Sequence, residues 1–208
     1  MHNFISYKED LTELLSQIVK SDVLHSRWLN TLSYLENTGA RKIAACQHPT
    51  QVKEEMLKHA AEEFRHAHYL KRQIGRVLDG ACEDYSKESV LGGVNSLHYL
   101  NSLDLQVSRY LSLHFTKADT KAYAYLLVTY AIEMRASELY PIYEAILRGH
   151  TSKVTVKSIL LEEKEHLQEM QDAIKSMPQG SLHANEACRI ESELCSKWLR
   201  SINSWILM

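Results

Sequence analysis

Only seven glycines and three prolines punctuate the 208 residues, so the chain has few of the turns and breaks that a many-stranded fold needs. Leu, Ala, Glu and Lys are abundant instead, and an all-α protein is the reading. An excess of charge is also missing. The formal net charge of -2 provides no global pull toward phosphate backbones or anionic lipid, and nucleic acid is not an expected partner. Four cysteines, Cys46, Cys82, Cys188 and Cys195, form no CxxC pair and are too few and scattered for a disulfide framework, which points to a reducing compartment. No run approaches the roughly 20 apolar residues that span a bilayer. The stretch from Met1 to Tyr7 lacks a basic-then-apolar signal pattern. A single cytoplasmic domain over residues 1–208, with no membrane contact, is the expectation.

What the chain does have is helical periodicity. Leu11, Leu15, Ile18, His25, Leu29, Leu32, Glu36 and Ile43 recur at helical spacing and predict one long first helix from about Tyr7 to about Ala45, ending before His48-Pro49. Pro49 and Thr50 suit a helix start, and a second helix then carries Val52, Met56, Ala60, Glu63, His66, Ala67, Leu70 and Ile74 on one face. It stops near Asp79-Gly80. From Ala81 to about Lys117, Gly92-Gly93 is mixed with Leu97, Leu100, Leu103, Val107 and Leu111, and the segment reads as a crossover. A third helix from about Ala118 bears Leu126, Tyr130, Glu133, Ser137 and Tyr140 and ends at Arg148-Gly149, where glycine suits a left-handed cap. A fourth starts near Thr151, turns Val156, Ile159, Leu160, Glu163, His166, Leu167, Met170 and Ile174 inward, and closes at Pro178 and Gly180. The last, from about Leu182 to Met208, carries Ile190, Leu194, Trp198, Ile202 and Trp205. Two hairpins joined by a crossover make a core bundle over about 7–178, with an extra helix over about 182–208.

Glu63-Phe64-Arg65-His66 and Glu163-Lys164-Glu165-His166 are both Glu-x-x-His, which on a helix places two ligands on one face one turn apart. With 19 Glu and 11 His in 208 residues, about one such pair arises by chance, so the motif alone is not specific. Its position is. Each pair interrupts an apolar stripe, where an unpaired carboxylate is costly to bury. Glu36 and Glu63 are centred on the His48-Pro49-Thr50 turn, and Glu133 and Glu163 on Arg148-Gly149. Arms of about 14 residues at 1.5 Å each place all four carboxylates roughly 20 Å from their turns, at mid-bundle. Glu138 is nearly as symmetric as Glu133 about the second turn, and Glu62 and Glu162 stand i, i+4 from the histidines, so these remain alternatives.

Glu36, Glu63-x-x-His66, Glu133 and Glu163-x-x-His166 resemble the ferritin-like di-iron carboxylate superfamily over the four-helix region. The ligand spacing is similar to that of cyanobacterial aldehyde-deformylating oxygenases, and Ile132-Glu133-Met134-Arg135-Ala136 looks like the Ile-Glu-Ala-Arg stretch of tRNA-modifying di-iron hydroxylases. The CxxC pairs of a rubrerythrin's rubredoxin module are absent. The resemblance implies two iron ions, with manganese or a mixed pair the other option. Glu36 and Glu133 would be terminal ligands, Glu63 and Glu163 bridging, and His66 and His166 one per metal. It further implies activation of O2 on a small, partly apolar organic substrate, with an external electron donor. Ferrous-iron oxidation or peroxide scavenging in the manner of ferritins and rubrerythrins, and tRNA hydroxylation, are the alternatives.

Outside the six ligands, Asp104 is a candidate to orient an imidazole. Tyr34, Tyr130 and Tyr140 read as packed residues or redox-active ones, and His25 as a core histidine or a neighbour of the site. His48, His59, His68 and His150 read as surface or loop residues. Lys71 to Arg76 reads as a cationic helix end, and the Trp198, Ile202, Trp205 stripe as core or a homodimer surface.

Overall fold

The computed structural model of the chain describes residues 3–207; Met1, His2 and Met208, at the two ends of the reading above, lie outside them. The described residues form seven α-helices and no strand: α1 (Lys8–Ile18), α2 (Asp22–Cys46), α3 (Glu54–Val77), α4 (Val94–Leu111), α5 (Lys117–Gly149), α6 (Lys157–Lys175) and α7 (Gly180–Ile206). None of these helices is long and apolar enough to cross a membrane.

Helices α2 and α3 form one closely packed hairpin and α5 and α6 another. Helix α4 lies against α5 and α7, and α1 packs mainly on α5. Two apolar clusters fill the interior. One gathers α1, Trp28, Leu29, Leu70, Tyr143 and Trp198; the other gathers Leu103, Leu127, Tyr130, Met170 and Cys188.

Several boundaries differ from the sequence expectation. The long first helix is two helices, because Ser21 adopts an extended conformation and its side chain accepts from the Leu24 N–H, capping a new start beside Asp22. The segment read as a mixed crossover holds a full helix, α4. Gly92 and Gly93 form its entry with φ of +74° and +49°, and a Cβ on Gly92 would fall 2.9 Å from the Ser201 and Ser96 hydroxyls. Pro49 and Thr50 lie before α3 rather than in its first turn, and Val52 is exposed there. Helix α6 starts at Lys157 instead of Thr151, since Thr151 takes the left-handed conformation expected of Gly149 while its N–H and that of Ser152 bond carbonyls of the last turn of α5. Ser137, placed on the inward stripe, is exposed.

His25 is a core residue. It is 3% exposed, its Nε2 lies 2.6 Å from the Tyr143 hydroxyl, and burial pushes its pKa down to about 4. The unfolded chain takes up a proton near pH 6.5 and the folded one does not until about pH 4, so stability is lost as pH falls through that window. Between pH 8 and pH 5 the wild type is expected to lose about 2 kcal/mol more than His25→Gln; urea unfolding at the two pH values checks this, and equal losses would refute it.

Candidate metal centre

Four helices bring carboxylates and imidazoles to one buried place. Helix α2 contributes Glu36 and α5 Glu133, while α6 contributes Glu163 and His166 one turn apart. From α3 come Glu63 and His66, and also His59, which stands i−4 from Glu63 on the same face. Two groups result: Glu36, Glu63, His66 and Glu163 in one, His59, Glu63, Glu133 and His166 in the other, each with one ligand atom per residue and all such atoms within 4.8 Å of one another. Either group could hold a metal ion, and Glu63 belongs to both.

All six residues singled out from sequence are therefore together. His59, expected at the surface, is 2% exposed and its Nε2 lies 3.3 Å from Glu63 and 3.4 Å from Glu133. The signal was its spacing, since His59, Glu63 and His66 continue one helical face. Glu138 lies elsewhere, held by Arg135, the Ser6 hydroxyl and the Tyr7 N–H.

The histidines are aimed. His66 Nε2 lies 2.7 Å from Glu162 and His166 Nε2 2.8 Å from Glu62, so each hairpin orients the other's imidazole through a carboxylate. With Nε2–H donated to the carboxylate, Nδ1 of each ring would present its lone pair to an ion at the centre. Glu162 is itself clamped by the two terminal guanidinium nitrogens of Arg65, each at 2.8 Å. Glu62 and Glu162 are thus the orienting carboxylates, and Asp104 is not: it pairs with Lys42 at 2.7 Å. His66 Nδ1 faces Glu163 at 3.0 Å and Glu36 at 3.9 Å; His166 Nδ1 lies 3.6 Å from both Glu63 and Glu133. Behind these, Tyr140 donates to Glu36, and the Tyr125 hydroxyl lies 3.4 Å from His59 Nδ1.

Burial, reinforced by the charges of its carboxylate neighbours Glu36 and Glu163, pushes Glu63 well above the usual carboxylate range. Burial and then Glu133 do the same to Glu163, and burial lifts Glu133 to about 7. Such crowding is unfavourable unless protons or cations neutralise it. The polar atoms also lack partners. His59 Nε2, His66 Nδ1, His166 Nδ1, Glu133 Oε2 and Glu163 Oε1 are buried without a hydrogen bond, and all five belong to these two groups. Unpartnered buried atoms are rare and call for an explanation; a bound cation provides one, and the donor chemistry fits.

The other residues flagged from sequence have ordinary roles. Tyr34 donates to the Leu97 carbonyl at 2.9 Å, Tyr130 packs in the second apolar cluster, and Trp198 and Ile202 are buried core. Lys71, from the supposed cationic helix end, is drawn inward to Asn30 and the Cys82 carbonyl, each at 2.6 Å. His48, His68 and His150 are exposed as expected.

No protein-family model, curated protein or solved structure matches this chain. The chemistry rests on the geometry. Beside the centre a cavity of about 230 Å³ runs between α2, α4 and α5, with Glu36, His59, Glu63 and Glu133 on one wall and Ile43, Leu100, Val128 and Ile132 around the rest. Cys46 lines it without joining either ligand group. The Lys42–Asp104 pair, partly solvent-exposed, closes one edge. A second space of about 80 Å³ adjoins it, sharing Glu36, Gly39, Glu63 and Ile132.

Proposed function

We propose that this chain is a single ferritin-like domain, a four-helix bundle of α2, α3, α5 and α6 with an added C-terminal helix, and that it activates O2 at a dinuclear metal centre to oxidise a small, partly apolar organic substrate. The observation that carries this reading is the convergence of five unpartnered donor atoms from α3, α5 and α6 beside an apolar cavity. Glu36, Glu63, His66 and Glu163 would hold one ion, and His59, Glu63, Glu133 and His166 the other. Oxygen donors with imidazole suit iron or manganese better than copper or a structural zinc site. When bound, two ferrous ions supply two electrons to O2.

The remaining work falls to the protein. Glu62 and Glu162 fix the imidazole tautomers, Arg65 keeps Glu162 charged and in place, and Tyr140 steadies Glu36. The apolar wall of Ile43, Leu100, Val128 and Ile132 excludes water and orients an apolar substrate within reach of the centre. A 230 Å³ space exceeds the 150 Å³ or so that admits benzene in an engineered cavity, so the substrate class is a molecule somewhat larger than a single ring. An external electron donor must restore the reduced state. The cavity favours this reading over iron storage or peroxide scavenging, which need no organic-substrate pocket, and the small net charge argues against a tRNA substrate.

The test is anaerobic ferrous loading followed by O2 in a stopped-flow spectrometer with an oxygen electrode. Oxidation is expected to stop after about two ferrous ions per chain, the number such a centre holds, and to resume with a reductant. Continued oxidation of a large ferrous excess without reductant would replace the oxygenase reading with the storage one.

A further inference from the structure

Five rings form an unbroken path through the larger apolar cluster. Tyr99 stacks on Trp198 at 5.1 Å between centroids and Trp198 stacks on Trp28 at 5.8 Å. Trp28 meets Tyr143 edge-on at 6.2 Å, and Tyr143 meets His25 at 5.9 Å. One end is at the centre: Tyr99 and Trp198 line the small cavity together with Glu36 and Glu63. The other end is near the surface, where His25 forms part of a polar depression with Lys20, Asp22, Arg76, His150 and Lys153.

Both tyrosines also have a base in place. Tyr99 donates to Glu191 at 2.5 Å, and the Tyr143 hydroxyl lies 2.6 Å from His25 Nε2. Burial raises both phenols, so both are protonated and neither can be oxidised cheaply without passing on its proton. His25, kept neutral by burial, can take that proton at Nε2 in its Nδ1–H tautomer. Trp198 Nε1–H is held by Ser96 at 2.9 Å. A buried phenol needs a hydrogen-bond partner in any case; here each partner, a carboxylate and an imidazole, is a group that can also take the proton, and both lie along one continuous stack.

We infer that Tyr99, Trp198, Trp28, Tyr143 and His25 form a hole-transfer path that carries oxidising equivalents from the cavity beside Glu36 to the depression beside His25. Its physiological oxidant, a strong one-electron oxidant formed when O2 is reduced without substrate, rests on the reading of the metal centre above. Tyr99 loses one electron to that oxidant and its proton passes to Glu191. An electron from Trp198 and the proton from Glu191 then restore Tyr99. Trp28 refills Trp198, and Tyr143 refills Trp28 as its phenolic proton moves to His25 Nε2. A small thiol or ascorbate-class reductant in the depression supplies the last electron to Tyr143, and His25 returns the proton. Unused oxidant is thereby discharged away from the ligands.

The test needs no metal. The full-length, metal-free protein with Cys46→Ser, Cys82→Ser and Lys20→Cys carries a ruthenium polypyridyl photo-oxidant on the introduced thiol, and flash-quench injects a hole at the His25 end. A transient tryptophanyl absorbance followed by an oxidation product at Tyr99, located by peptide mass spectrometry, is expected. Trp198→Phe and Trp28→Phe keep an aromatic ring and, with unchanged circular dichroism, should reduce the Tyr99 product to background; Tyr143→Phe, which removes only a hydroxyl, should do the same. Equal Tyr99 oxidation in these variants, or none in the parent, would overturn the path. Because the photo-oxidant replaces O2 chemistry, that failure would leave the metal reading standing, whereas absence of bound metal would sink the metal reading and the path's oxidant with it but leave hole transfer between the rings intact.

Discussion

Glu63→Met is expected to stabilise the metal-free protein while abolishing the rise in Tm produced by ferrous or manganous ion. Glu63 is the residue common to both ligand groups; it is 7% exposed, and its pKa is raised by burial and by Glu36 and Glu163. Methionine has a similar volume and removes a carboxyl group that burial and the neighbouring Glu36 and Glu163 charges disfavour, so the metal-free variant is expected to melt higher than the wild type. The same exchange removes the shared ligand, and with it the stabilisation of about 2.7 kcal/mol that a site gains at a hundredfold excess of metal over Kd. Thermal melts of both proteins after EDTA treatment and after metal loading separate the two effects. A strongly destabilised metal-free variant whose Tm still rises with metal would show that Glu63 is a structural residue.

The second large effect lies just outside the centre. Arg135 sits two residues along α5 from Glu133 and turns its side chain toward α7. Its guanidinium donates to both Glu191 oxygens at 2.9 and 2.8 Å and to the Ile5 carbonyl at 3.0 Å, and Phe4 and Tyr7 lie over it at 4.2 and 5.0 Å. Glu191 is fully buried. Arg135→Met leaves that carboxylate unpaired, and a loss of about 3–5 kcal/mol is expected. Arg135→Met with Glu191→Met removes both charges and should recover most of it. Urea unfolding of the two single variants and the double variant gives the coupling; additive losses would mean that the ion pair does not hold α7 to α5.

These two neighbours on α5 also illustrate what a sequence reveals and where it stops. Periodicity and distance from a turn bring Glu36, Glu63, Glu133 and Glu163 to one depth, because a hairpin of regular helices is nearly one-dimensional. The same reasoning leaves Glu133 and Glu138 close to equivalent, and only the packing of Arg135 and the Ser6–Tyr7 segment takes Glu138 away. His59 was missed although its i, i+4, i+7 relation to Glu63 and His66 was readable, since Lys58 and Glu62 beside it suggest a solvated face. Glu62 and Glu162 illustrate the opposite limit. Each orients a histidine on the other hairpin, and a contact across two hairpins depends on their mutual rotation, which spacing within either one does not specify. The break at Ser21 was legible as a Ser-Asp helix start, but an uninterrupted apolar stripe on both sides masks it.

Elemental analysis of the protein purified after iron-replete expression tests the central claim most directly, with His66→Ala, His166→Ala and Glu63→Ala measured alongside. The account predicts about two iron or manganese ions per chain in the wild type, about one in either histidine variant, and fewer than one when the shared Glu63 is lost. A wild type without metal, or metal content unchanged by Glu63→Ala, would contradict it.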